Sequence, residues 1–388
     1  MGSAAVTSVP LANGQGSASL VRLEAGDLAA SVCSFGATLV GLEAPDRDGR
    51  TANCVATLAD PAQLAMPELN PHLGGIVGRV ANRIAGAGFT LDGVAHRLEA
   101  NEGAHTLHGA GAGWDRRPWH LEAAAADGRD ARAVLSLSDP DGCGGFPGAV
   151  EARAVYSLDA HGALTLDICV EPTVPTPVAL TNHVYWNLAG RGTICAHRLR
   201  IDAPSVLELG PGQIPTGAAN DLGGGPFDLR TSGGLGRLLA HPDLRPTGGF
   251  DHTYLLAPPG GGPSTSAVRS LAGDQPSPPE AMSGPSAASL CDPQSGRLLE
   301  VWTNQPALHL YTGNHLDGQP GASGPLPRHG GVCLEAGTVP NAPNLRAISG
   351  PGLGTLPVDV TTRPGRAYRW ITRWRLGRTN ACARVAGR

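Results

Sequence analysis

Glycine and proline recur so often along this chain, 55 and 34 times in 388 residues, that a long helix is hard to assemble from it. Together they make up about 23% of the residues, against a usual share of about 12%. Glycine adds backbone entropy that ordering must overcome, and proline removes an amide donor and clashes with the preceding helical turn. Short strands closed by turns are the elements such a chain can build.

The apolar pattern agrees. In the run from Ala154 to Val170, Leu164, Leu166, Ile168 and Val170 alternate with Thr165, Asp167 and Cys169, which predicts two strands around a glycine-containing turn. Near the C-terminus Tyr368, Trp370, Thr372, Trp374 and Leu376 share one face, and Arg369, Arg373 and Arg375 the other, so one side packs and the other is wet. Turn signals such as Leu91-Asp92-Gly93 and Leu316-Asp317-Gly318 recur without intervening helical segments. The expected fold class is all-β, a large antiparallel β-sandwich spanning residues 1–388 as a single domain. Residues 257–295 are dense in Pro, Gly, Ser and Ala and are expected to form a mobile surface loop inserted between two strands.

Composition excludes several chemistries. All 29 basic residues are Arg. Schiff-base, pyridoxal-phosphate and Walker-type phosphate-loop mechanisms each need a lysine ammonium that is absent here. A formal net charge of -4 supplies no basic field for nucleic acid. No apolar stretch is long enough for a membrane span or a signal peptide, so the expected location is cytoplasmic, with no membrane partner. The eight cysteines show no C-x-x-C spacing and are expected to be free and mostly buried.

Five strings place polar residues in apolar, strand-like surroundings, where such groups persist only if hydrogen-bonded or used. GGIVGRVANRIA (74–85) carries Arg79, Asn82 and Arg83; Arg83 either forks onto a ligand or satisfies carbonyls at a strand end. NEGAHTLHGAGAGWDRRPW (101–119) carries His105 and His108, which lack a nearby third metal ligand. TNHVYWNLAG (181–190) centres on His183, a titrating group or a satisfied core histidine. GGFDHTYLL (248–256) holds Asp251, a ligand contact or a turn residue, and GVCLEAGTVPNAPN (331–344) sets Glu335 at the end of an apolar strand.

In this order the five strings resemble the aldose 1-epimerase (galactose mutarotase) family, whose members carry GR-x-ANRI, LHGG, NH-x-YFNL, G-(Y/F)-DH and CLE segments. The similarity extends to FGATLVGLEAPDRDGR (35–50) and QPALHLYTGNHLDG (305–318). The resemblance implies a β-supersandwich with an open concave sugar-binding cleft. It also implies His183 and Glu335 as the acid–base pair, and sugar contacts from Asn82, Arg83, His108 and Asp251. Anomer exchange removes the proton of the C1 hydroxyl while the ring oxygen is protonated, so acid and base are expected to flank the ring. Glu335 is assigned as base and protonated His183 as acid, with Asp251 expected to help keep a nearby imidazole charged. Neither metal nor cofactor is expected, and the expected partner is a small-molecule aldose bound by a monomer or weak dimer.

The chain departs from the family pattern in four places: Ala110 follows LHG where Gly is usual, Asn341 replaces a common Asp after Pro340, and two changes fall in the NH-x-YFNL and ALHLYTG segments. Trp186 replaces a Phe, and His309 stands where the family has a sugar-contacting Gln. An imidazole can ionise where an amide cannot, so His309 is expected to alter hexose preference or pH profile. Two other readings suit the same fold: a carbohydrate-binding or regulatory module without turnover, and an epimerase of hexose 6-phosphates, which would need a basic phosphate pocket. An acid–base pair has no use in a lectin-like site, and the free sugar is the expected substrate.

Overall fold

The computed structural model describes residues 2–14, 16–257, 271–272, 282 and 284–379. Among these, strands dominate, and the one α-helix is the five-residue Leu235–Leu239. A five-stranded antiparallel sheet follows chain order through Ser3–Pro10, Ser17–Ala25, Leu28–Cys33, Thr38–Pro45 and Thr51–Asn53. A nine-stranded outer sheet runs His120–Asp127, Asp130–Asp139, Val150–Leu158, Ala163–Pro172, Tyr368–Arg378, Arg297–Thr303, Ala288–Cys291, Arg198–Ile201 and Gly233–Gly234. A second sheet of nine strands begins Tyr185–Trp186, Val332–Gly337, Ala307–Tyr311, Asp251–Leu255 and Ser205–Leu209, and it carries the candidate site.

The alternations read from the sequence become the two faces of the outer sheet. Ala163–Pro172 folds back on Val150–Leu158 and lies beside Tyr368–Arg378, with Ile168 opposite Trp370 and Leu164 opposite Trp374. Leu164, Leu166, Ile168 and Val170 are wholly buried, and burying each such side chain contributes roughly 1.5–3 kcal/mol. Their neighbours in the core include Leu308, Leu310, Val332, Leu334 and Ala336, which belong to the inner face of the site sheet. On the wet face Arg369 pairs with Asp167 and Arg375 with Glu300. The hairpin Gly88–Leu91/Val94–Arg97 turns on Asp92 and Gly93, both at positive φ (47° and 83°), the conformation a two-residue turn of this kind requires.

Two expectations need correction. Ala288–Cys291, assigned to the surface loop on composition, is a strand paired on both sides, because alternate side chains of this short run are drawn into the core. The expected mobility of residues 258–270 and 273–281 lies outside the described residues. Cys291 is disulfide-bonded, so not every thiol is free; Cys33, Cys54, Cys143, Cys169, Cys195 and Cys333 are. No helix among the described residues is long and apolar enough to cross a membrane.

A buried ionic hub fixes the string from which part of the site is built. The Arg79 side chain is fully enclosed; its Nε and one terminal nitrogen donate to Asp139, and the other donates to the Pro147 and Gly148 carbonyls and to the Thr176 hydroxyl. Asp139 also accepts from Trp114 Nε1 and pairs with Arg117. The role of satisfying carbonyls, left open for Arg83, belongs to Arg79.

Candidate active site

Strand pairing assembles one side of the cleft. Along Ala307–Tyr311 and Val332–Gly337 the even positions Leu308, Leu310, Leu334 and Ala336 face the core, so His309, Tyr311, Cys333 and Glu335 face the other way. In register, His309 lies opposite Glu335 and Tyr311 opposite Cys333. Asp251–Leu255 adds Asp251 opposite Tyr311 and Thr253 opposite His309. Behind Glu335 the strand is pinned: the Ala336 carbonyl accepts from Trp370 Nε1 of the outer sheet at 3.0 Å and from the Thr181 hydroxyl at 2.9 Å.

Loops supply the opposite wall. His183 is zipped to the segment before Arg79 by its amide donating to the Gly75 carbonyl and its carbonyl accepting from the Gly74 amide, both at 2.9 Å. Asn182 Nδ2 donates to the Gly74 and Gly75 carbonyls as well. Gly74 has φ of +73°, and a β-carbon there would collide with the Leu39 carbonyl, so the close passage of this loop requires glycine. Asn82 and His108 hold each other: the Asn82 amide donates to His108 Nδ1 at 3.2 Å, and the His108 amide donates to the Asn82 carbonyl at 3.1 Å. With Nδ1 accepting, the neutral His108 ring carries its proton on Nε2.

The resulting cleft encloses about 610 Å³ of empty space, mouth included, and its walls include Asn82, Arg83, His108, His183, Asp251, His309 and Glu335. All seven site residues expected from the sequence therefore converge. Sequence reasoning missed His72, Glu102, Tyr311 and His315, which share the walls. Tyr311 had a signal, since it shares a strand face with His309. His72 sits alone in a loop, and only the structure shows its ring 4.6 Å from His108 and its Nδ1 donating to Asp115 at 2.7 Å. Glu102 binds Arg83 at 2.6 and 2.9 Å through two oxygens, so that guanidinium is held rigid at the rim. His105 and His252 lie instead along an adjoining groove.

His183 and Glu335 stand side by side, with Nε2 and Oε1 3.4 Å apart, instead of facing each other across a gap. The separation is longer than a good hydrogen bond. Burial pushes the Glu335 carboxyl up to about 8, and the nearby Asp251 charge adds to the rise while His309 opposes it. Burial likewise pushes His183 down to about 3, with His72 reinforcing the effect. Near neutrality these shifts favour one proton on the pair, held on the carboxyl in preference to the imidazole. That inventory equals a carboxylate beside an imidazolium, so the pair can exchange forms without taking a proton from solvent.

Asp251 does support a charged imidazole, but of His309 and not of His183. His309 Nε2 lies 2.8 Å from Asp251 and Nδ1 2.8 Å from the Thr253 hydroxyl. Burial lowers the imidazole's affinity for a proton, yet the hydrogen bond and charge of Asp251 overcome it, and the net shift is upward. Cys333 Sγ lies 3.4 Å from His183 Nδ1, and His183, Cys333 and Glu335 bring ligand atoms within 4.8 Å of one another. The thiol and the carboxylate lie at opposite nitrogens of one ring, and burial pushes the Cys333 thiol well above its ordinary range, so it stays protonated beside His183.

Comparison with known proteins places the chain among relatives of the same fold. The family model described as aldose 1-epimerase matches residues 19–373. The galactose mutarotase of Sus scrofa is 35% identical over 366 residues, covering 93% of this chain and 95% of its own. The aldose 1-epimerase of Escherichia coli K12 is 30% identical over 347 residues, covering 89% of this chain and 90% of its own. Among solved structures, a galactose 1-epimerase from Lactobacillus acidophilus superimposes with a TM-score of 0.78 at 25% identity, over 97% of this chain and 99% of that one. With the sheet order, the converged cleft and these matches in agreement, the chain belongs to the aldose 1-epimerase family.

Proposed function

We propose that this enzyme interconverts the α and β anomers of free aldoses, galactose and glucose among them, with His183 and Glu335 as the proton-transferring pair. The observation that carries the assignment is their adjacency, 3.4 Å apart at the floor of one cleft. The hydroxyl oxygen O1 and the ring oxygen are both bonded to C1, so two neighbouring groups serve them as well as two groups flanking the ring.

Ring opening transfers the O1 proton to the Glu335 carboxylate while the His183 imidazolium protonates the ring oxygen. The C1–ring-oxygen bond breaks, and C1 becomes the aldehyde carbon. Rotation about C1–C2 presents the other face of the carbonyl, and closure returns both protons along the same path. Sugar hydroxyls donating to the carboxylate favour its charged form, which draws the shared proton onto His183 when substrate arrives. Each transfer contributes about 10²–10⁴-fold. Asn82, His108 and the Arg83–Glu102 pair are assigned to the sugar hydroxyls. Among the described residues, Arg83 is the one guanidinium lining the cleft, and Glu102 already neutralises it, which disfavours a phosphorylated hexose.

Polarimetry of freshly dissolved α-galactose or α-glucose with trace protein tests the reading. Rotation should relax faster than in buffer, and His183→Asn and Glu335→Gln should each slow turnover by about 10²-fold or more with the fold retained. A relaxation no faster than the buffer blank rejects the enzyme; near-parental rates in either variant reject the residue assignment.

A further inference from the structure

We infer that His309 is a positioning residue that acts through its charge: clamped between Asp251 and Thr253 and set directly opposite Glu335 in the sheet, its imidazolium biases Glu335 toward the carboxylate that begins catalysis. The inference rests on the assignment of Glu335 as the base.

The hydrogen-bond geometry lets this ring carry a charge in a dry place. Nε2–H donates to Asp251 at 2.8 Å. On the other side the Thr253 hydroxyl, 2.8 Å from Nδ1, accepts from Nδ1–H when the ring is charged and donates to Nδ1 when it is neutral. Protonation of His309 therefore leaves no hydrogen-bonding atom of the ring without a partner. An amide at this position would bond to the same neighbours without supplying a charge.

The surroundings decide what the charge does. From its own sheet, His309 is faced by Asp251, Glu335 and, more remotely, His252; from the loop wall it feels Arg83, His108 and His183. Asp251 is its hydrogen-bonded counter-ion, and Arg83 is tied to Glu102. Glu335 is the cross-strand partner of His309, and such pairs hold their β-carbons about 4.5–5.5 Å apart. Positive charge at that range favours ionised Glu335 and disfavours a second proton on His183, so it lowers the protonation range of the whole pair. Both ring nitrogens of His309 are engaged by protein, so it tunes the pair without itself transferring a proton to the sugar.

The test is the pH dependence of kcat/KM for α-galactose in the parent enzyme and in His309→Gln, with imidazole NMR titrations of both. Removing the charge leaves Asp251 without a cationic partner, and both limbs of the pH profile should move upward by about one pH unit or more. The parent spectrum should contain an imidazole still protonated above pH 6.5, and that resonance should be missing from the variant. An unmoved profile in a folded, active variant overturns the inference, as does a parent spectrum with no such imidazole, which can be read even if the variant does not fold. Absence of turnover in the parent enzyme would instead reject the epimerase reading, so the two failures are distinguishable.

Discussion

Replacing Glu335 by Gln should make the protein more stable and less active at the same time, and the stability gain should appear only as pH rises. The carboxyl is 3% exposed in its side chain, and burial raises it from an ordinary 4.5 to about 8. Below pH 4.5 both folded and unfolded chains carry this proton, and the group has no pH-linked effect. Between 4.5 and 8 the unfolded chain has ionised while the folded chain still holds the proton, so stability falls as pH rises; above 8 the full difference applies. At about 1.4 kcal/mol per pH unit the limit is roughly 5 kcal/mol. Gln fills the same volume, and its amide can donate toward His183 Nε2, so it retains the packing without the ionisation. His183, pushed down to about 3, contributes stability above pH 6.5 that is lost as pH falls toward 3. Its titration is common to both proteins, so it largely cancels in the comparison. Urea unfolding followed by tryptophan fluorescence at pH 5 and pH 8.5 is the assay. The two proteins should lie close together at pH 5, and at pH 8.5 the variant should be the more stable by about 2 kcal/mol or more. An equal difference at both pH values, or a less stable variant at pH 8.5, would show that burial does not hold Glu335 protonated in the folded chain.

Elsewhere, Asp139→Ala should destabilise the fold by about 3–5 kcal/mol, because it leaves the fully enclosed Arg79 guanidinium without its counter-charge and removes the carboxylate partner of Arg117; denaturant titration measures it. Glu102→Gln should weaken substrate binding more than turnover, since it loosens the two-point grip on Arg83 at the rim. A KM increase with kcat held within about threefold is the expected outcome, and a loss confined to kcat would place Glu102 in the chemistry instead.

Much of this architecture was readable from residue order, for a physical reason. A strand half in the core must alternate, so Leu164 to Val170 and Tyr368 to Leu376 announced their faces. The same rule would have set Tyr311 beside His309 on one side, but only pairing shows that Glu335 lies opposite His309. The resemblance named six of the site residues, and His309 stood out as a departure from its pattern. It did not indicate which imidazole Asp251 would charge, since that depends on 2.8 Å contacts between separate strands. Arg79 and Arg83, four positions apart in one string, looked alike in sequence; the first became a buried hub and the second a rim group according to which acid each meets, Asp139 or Glu102. His72 had no local signal, because its partner Asp115 is 43 positions away. Ala288–Cys291 was hidden by its Ser- and Pro-rich flanks, and the bonding of Cys291 follows no spacing rule.

The strand Ala307–Tyr311 has one face committed to holding the molecule together and the other turned to the cleft, in strict turn. Exchanges on the cleft-facing side, such as an amide in place of the imidazole at position 309, leave the core-facing side untouched. Reactivity can therefore drift by point substitution at little structural cost. Adding or deleting a single residue within the strand would do the reverse, pushing Leu308 and Leu310 into the cleft and drawing His309 and Tyr311 into the core. Lineages carrying this scaffold should accordingly vary these strands in letter and almost never in length.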